Sequence, residues 1–257
     1  MKPSSERWRA LLPLAVIAAL LAWLEERVAA GALPMTLPRP SAVGEVLWQE
    51  RGMLLHELGI TLLSAGHGLL LALVLAFAVG VAVHAWPRSE AAVLTVGAVL
   101  SSIPMIALAP ILGVWFGLTL TTRVGITLLI CLFPLLVAVV QGLRESRAGE
   151  QELFTVLAAT PWQRFRLLAL PSAVPLLFVG LKISAPLAVL GALIGEWNGA
   201  EHGLGVVMLN AMFGLQVPRL WATVSVACAV SMALYGYLVL VEHLAGYHRS
   251  ATTREAA

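Results

Sequence analysis

Long apolar runs alternate with short polar interruptions along the chain. Six runs stand out, at residues 10–24, 58–85, 91–118, 124–143, 171–195 and 220–241. Inside hydrocarbon a backbone satisfies its own polar groups only as a helix or as a closed barrel, and these runs lack the period-two alternation of a barrel strand. Each run therefore predicts a helix. Most reach the roughly 17–25 residues needed to cross a bilayer, but the first, held between Arg9 and Glu25, has only fifteen. Its basic start, apolar middle and "VAA" at 28–30 imitate a cleaved signal peptide. Against that, Glu25, Glu26 and Arg27 interrupt the approach to the site, and Trp8 and Trp23 stand where interfacial anchors belong, so the run is read as a retained span. The expectation is an all-α membrane protein of about six transmembrane helices, forming one domain over 1–257.

Composition agrees with that pattern. Hydrophobic residues make up 60% of the chain and charged residues 12%, with a mean hydropathy of +0.90, where soluble domains carry roughly a quarter charged residues. The formal net charge of +2 gives no reason to expect a nucleic-acid partner. Cys131 and Cys228 lie inside apolar runs without ligand spacing and read as small packing residues. Lysine and arginine orient the spans. With six spans one side holds ten basic residues, from Lys2, Arg7 and Arg9 through Arg88, Arg144, Arg147, Arg164 and Arg166 to Arg249 and Arg254. The other side holds five, at Arg27, Arg39, Arg51, Arg123 and Arg219. Both termini are therefore expected in the cytoplasm. The loop 25–57 then lies outside: after Pro34, Pro38 and Pro40, Ser41 is expected to cap a helix with Val43, Val46, Leu47, Leu54 and Leu58 on one side. It reads as a helix along the outer membrane surface, or as an ordinary solvated connector.

The polar island at 144–170 is the most informative stretch. In "ELFTVLAATPWQRFRLLALP", 152–171, Leu153, Val156 and Leu157 share a helical face. "TPWQ" then places an N-cap at Thr160, Pro161 at the first helical position and Gln163 at the third, a capping-box pattern for a second short helix. Trp162 and Phe165 share a face of it, Arg164 and Arg166 project from its flanks, and Pro171 is expected to start the next span. Composition leaves two uses open: an apolar patch rimmed by charge that docks a partner, or a helix lying in lipid headgroups.

The island resembles the cytoplasmic loop of permease subunits of binding-protein-dependent ABC importers. Their pattern runs EAA, three residues, Gly, nine residues, Ile, one residue, Leu-Pro. Glu152 takes the acid, Leu168 the Ile position, and Leu170 with Pro171 the closing pair, with the full spacing kept. Leu153 and Phe154 replace the alanines and Ala158 the glycine. At that position a left-handed turn would cost alanine roughly 1 kcal/mol. The segments "LPRPSAVGEVLW", "ALAPILGVWFG" (107–117) and "GEWNGAEHGLG" (195–205) are similar to the nitrate, sulfonate and taurine branch, and the group importing thiamine-precursor pyrimidines is not separated from it by these motifs.

The resemblance implies a type I ABC importer permease fold in the cytoplasmic (inner) membrane of a bacterium. It implies partners as well: two ABC ATPase subunits carrying ATP and magnesium, a second permease copy in a homodimer, an extracytoplasmic solute-binding protein and the surrounding lipid. A small anion such as nitrate, sulfonate or taurine is the expected cargo. The chain itself is not expected to be an enzyme. Its two lysines, Lys2 and Lys182, lack the glycines of a phosphate-binding loop, and no catalytic or metal motif is found. Coupling to the ATPase falls on Glu152, as a brace for the turn, with Ala158, Thr160 and Pro161. Trp162 and Phe165 are the expected packing anchors, and Arg164 and Arg166 the rim charges.

Few polar residues remain for a pathway. Lys182 lies eleven residues past Pro171, about 16 Å along a helix and so near mid-membrane. It is either a helix-to-helix partner or a contact for an anion. Glu196 and Trp197, at the outer end of their span, read as a gate or a binding-protein contact, and Trp197 reads equally as an interfacial anchor. His67 and His84 read as packing or helix-to-helix hydrogen-bonding residues, and Pro104 and Pro110 as kinks. A secondary transporter or channel without an ATPase remains the alternative, but it would spread ionisable residues through the spans and leave the island unexplained.

Overall fold

A backbone that must bond to itself in hydrocarbon has done so almost everywhere in this computed structural model, which describes residues 4–32, 34, 36–145 and 148–246. Every regular element among them is helical. By contact the chain divides into two compact units, one taking residues up to 57 with 207–226, the other 58–206 with 227 onward.

Among the described residues four helices are long and apolar enough to cross a membrane. They are α3 (Arg51–Ala85), α6 (Leu120–Arg144), the continuous helix Pro161–Glu196 and α11 (Val217–Leu244). The third apolar run is broken rather than straight. Its halves α4 (Glu90–Ser101) and α5 (Met105–Phe116) meet at an 89° bend and make a fifth span only if taken together. Pro104 disfavours helix in the residue before it and brings no N–H of its own. The hydroxyls of Ser101 and Ser102 both donate to the Ala98 carbonyl, at 2.9 and 2.8 Å, and close α4 off. The first run forms α1 (Ser4–Ala29), a helix that is not among the four or five.

In the larger unit α6 packs along α9 (Leu170–Glu196) with almost no side chain between them. A Cβ on Gly180 would sit 2.5 Å from that of Ala138, and one on Gly191 2.8 Å from the Thr127 Cα. Small residues permit this approach, which is how helices gain packing where lipid removes the hydrophobic driving force. Ala65, Ala72, Ala76 and Val83 of α3 close the same core against Cys131, Leu135, Leu136 and Val140 of α6 and Ala188 and Ala192 of α9. The Cys131 thiol donates to the Ser184 carbonyl at 3.4 Å, in keeping with a packing role.

In the smaller unit the helix expected in the outer loop is α2 (Pro40–Gln49), with Val43, Val46 and Leu47 half-buried. Ser41 does not cap it. The N-cap is Arg39, which makes no side-chain cap bond, because Pro40 already occupies the first helical position. The cap comes from α1: Glu25 accepts from the Ser41 backbone N–H at 2.9 Å and from its hydroxyl at 2.7 Å. The helix also ends sooner than the apolar pattern suggested, and Leu54 and Leu58 belong to α3. Arg219 pairs with Glu50 at 2.9 Å and the Trp221 indole donates to the Thr36 carbonyl at 3.3 Å, tying the start of α11 to this loop.

Candidate functional site

The island folds as two short helices joined by a tight turn. The first, α7 (Ala148–Val156), ends where the Ala158 N–H reaches the Thr155 carbonyl and the Ala159 N–H reaches the Phe154 carbonyl, both at 3.0 Å. Those two bonds are the Schellman closure, which places one residue in the left-handed region. That residue is Ala158, with φ of 49°. It lacks glycine's freedom there and carries a strain of roughly 1 kcal/mol.

Thr160 then opens α8 (Pro161–Arg164) with the reciprocal capping box. Its hydroxyl accepts from the Gln163 N–H at 3.3 Å, and the Gln163 side chain accepts from the Thr160 N–H at 2.8 Å. Pro161 sits at the first position, where its missing N–H costs nothing. The turn is braced, but not by Glu152, which is exposed and away from any side-chain hydrogen bond or ion pair among the described residues. Arg164 does it instead, bending back so that its Nε donates to the Ala159 carbonyl at 3.2 Å.

Trp162 and Phe165 stack, with ring centroids 5.7 Å apart and planes 27° apart, yet their surroundings differ. Phe165 is half-buried against the core of Val139, Leu143, Ala169 and Ala173 and stands 5.6 Å from the His84 ring. Trp162 is 66% exposed, and Leu153, Val156 and Leu157 are exposed with it. Of the two expected anchors, one is therefore used internally and one is presented outward. Arg166 is exposed on the far side of Phe165.

Pro171 falls in the first turn of the next helix, α9, as expected, but the chain is already helical before it. From Phe165 to Ala169 the chain widens into a π turn, in which the Leu170 N–H bonds back to the Phe165 carbonyl, and runs on into α9 without a break. A π turn lets a helix absorb a proline whose N–H is missing. The result is a single helix of 36 residues, Pro161–Glu196, about 54 Å long.

Two cavities undercut the island. One, of about 310 Å³, is lined by His84, Pro87, Gln151 and the ion-paired Arg144 and Glu90, among others. The other, of about 260 Å³, shares His84 and Gln151 and adds Thr155, Arg164 and Leu168. Sequence reasoning passed over His84 as packing. Its place in the last turn of α3, where it lines both cavities, was the available signal.

The two remaining candidates turn inward. Lys182 Nζ lies 2.7 Å from Glu242 Oε2 of α11, with the two side chains 17% and 9% exposed. Glu196 is fully buried, and its Oε2 accepts from the Gly205 N–H at 2.7 Å. Glu196 is thus no outward contact for another protein, while Trp197 beside it is 37% exposed. His67 approaches its own helix's Leu63 carbonyl at 2.6 Å. Among the described residues no group of three or more His, Cys, Asp or Glu could hold a metal ion.

Comparison with known proteins accounts for this arrangement. Residues 68–245 match the family described as the binding-protein-dependent transport system inner membrane component. A probable ABC transporter permease protein of Haemophilus influenzae is 29% identical, over 88% of this chain and 93% of its own. The formylaminopyrimidine transport permease protein of Halalkalibacterium halodurans is 32% identical, over 82% and 85% respectively. The riboflavin transport system permease protein of Chloroflexus aurantiacus is 30% identical, over 92% and 90%. Such proteins are permease components rather than enzymes. With two-thirds of its length matched, and a capped, braced island joined to a membrane-length helix, this chain belongs to the binding-protein-dependent inner-membrane permease family of ABC importers.

Proposed function

We propose that the chain forms half of a solute pathway, and that the island is where a separate ATPase takes hold of it. One observation carries the reading: Trp162 is exposed on a turn that is capped, braced and fused to a 36-residue helix. A large aromatic held rigidly in water suits a partner's pocket, since such anchors contribute about 2 kcal/mol or more at interfaces. Leu153, Val156 and Leu157 extend the apolar surface, while Arg164 and Arg166 form its rim, where charges contribute less. Thr160, Pro161 and Ala158 shape the turn. Glu152 is left as a solvent-facing acid.

The island faces the cytoplasm in this reading, on the strength of the basic residues gathered on its side of the membrane. ATP and magnesium belong to the ATPase pair, and a solute-binding protein delivers cargo from outside. A second copy of this chain completes the pathway. The apolar face of α5, with Ile106, Ile111, Val114, Trp115 and Phe116 exposed, is available to that copy or to lipid.

For cargo, the relatives named for formylaminopyrimidine and riboflavin favour a nitrogen heterocycle. The small anion expected from the branch resemblance is the second reading. It is weakened because the charge of Lys182, which an anion would use, is already matched by Glu242.

The coupling is tested with Trp162→Ala, purified alongside the ATPase and reconstituted into vesicles. The expected outcome is intact insertion with ATPase affinity lowered about 30-fold and uptake lost. Wild-type uptake and ATPase co-purification in that variant would sink the docking role. For cargo, thermal shift of the cognate binding protein with pyrimidines, flavins, sulfonates and nitrate separates the two readings.

A further inference from the structure

The far end of the same helix suggests how motion leaves it. Glu196, the last residue of α9, is a fully buried acid, and a charged group is not held there without strong bonds. Its Oε2 takes the Gly205 N–H at 2.7 Å, in the first turn of α10 (Leu204–Phe213). Glycines make room for it. A Cβ on Gly203, where φ is +125°, would lie 2.2 Å from the Glu196 Cδ, and one on Gly205 would lie 2.9 Å from the Glu196 Cβ. The neighbouring N–H, that of Leu204, goes to Thr61 of α3 at 2.9 Å, and both residues are fully buried. The first turn of α10 is therefore held by two different helices. The hold by α9 is a buried carboxyl group bonded to a backbone N–H at 2.7 Å, whereas the hold by α3 is a hydroxyl bond at 2.9 Å.

We infer that Glu196 is the grip by which α9 carries the first turn of α10 with it, making it a positioning residue for transport rather than a contact for cargo or for the binding protein. This rests on the island being the driven end of the helix. Movement applied at Trp162 travels along the helix to Glu196, and the short buried bond from its carboxyl group to Gly205 drags the turn of α10 in preference to letting go. Thr61 on α3 sets the resting position.

The test uses the full complex in vesicles and reads solute taken up per ATP hydrolysed, with assembly measured separately. Glu196→Gln preserves shape but weakens the bond. It is expected to leave assembly and ATP hydrolysis near wild type and to lower uptake per ATP about ten-fold. Thr61→Ala is expected to change that ratio by less than about two-fold, since the hold by α9 remains. A wild-type ratio in Glu196→Gln, or an equal fall in Thr61→Ala, overturns the proposal. If Glu196→Gln fails to insert, Gly205→Ala tests the same contact from its other side, by crowding the carboxylate off, and an unchanged ratio there counts against the grip. Failure of the coupling reading is distinguishable, because it appears as unchanged assembly in Trp162→Ala.

Discussion

The two ends of the helix Pro161–Glu196 are built on opposite terms. At one end Trp162 stands exposed, stacked on Phe165, on a turn whose backbone bonds are all local. At the other Glu196 is completely enclosed, its carboxylate spent on another helix of the same chain. An exposed end with an apolar anchor gains from a partner supplied from elsewhere, whereas an end enclosed by the chain's own helices offers a partner no surface. Under the proposed coupling, the exposed end receives force and the buried end passes it on. Between them the helix is held by close backbone packing on α6 and by the Lys182–Glu242 pair.

The largest expected effect tests whether the middle of the helix belongs with the buried end. Glu242→Ala leaves the Lys182 charge without its partner and should cost about 3–5 kcal/mol, seen as a large fall in the thermal midpoint in detergent. Replacing both residues by Met should recover most of that loss. If the single and double variants are equally stable, the pair does not hold α9 to α11.

A smaller effect separates the stacked aromatics. Phe165→Ala should destabilise the protein by about 2 kcal/mol, because the ring is half-buried in its own core. Trp162→Ala should leave the midpoint within about 0.5 kcal/mol of wild type while weakening ATPase binding. Equal destabilisation by the two would erase the distinction between an inward and an outward aromatic. The smallest effect is a gain: Ala158→Gly should relieve the left-handed strain and stabilise by up to about 1 kcal/mol, offset in part by the greater freedom of glycine in the unfolded chain. A thermal midpoint lower than wild type would show that the turn tolerates alanine without strain.

Much of the island was readable in advance, because its determinants lie within a few residues of one another. Thr160, Pro161 and Gln163 form their cap through bonds spanning three positions, and the resemblance, which sets Ala158 where the family has glycine, pointed to the left-handed residue. Pro171 marked the first turn of α9 but not the helical turns before it. Whether a proline starts a helix or is absorbed by a π turn depends on what the preceding turn packs against, here Phe165 on Val139, Leu143 and Ala173. Glu152 is exposed and makes no side-chain bond among the described residues, while Arg164, read only as a rim charge, was long enough to reach back.

Apolar runs, their lengths and the charge bias between them were enough to establish a helical membrane protein, since hydrocarbon leaves a backbone so few choices. Local caps and turns followed from neighbouring residues in the same way. The partners of buried charges did not. Lys182 and Glu242 are sixty positions apart, and Thr61 meets Leu204 across 143. Those pairings, the 89° bend between α4 and α5, and the choice of which aromatic faces water depend on how the helices pack, which no single run of residues encodes.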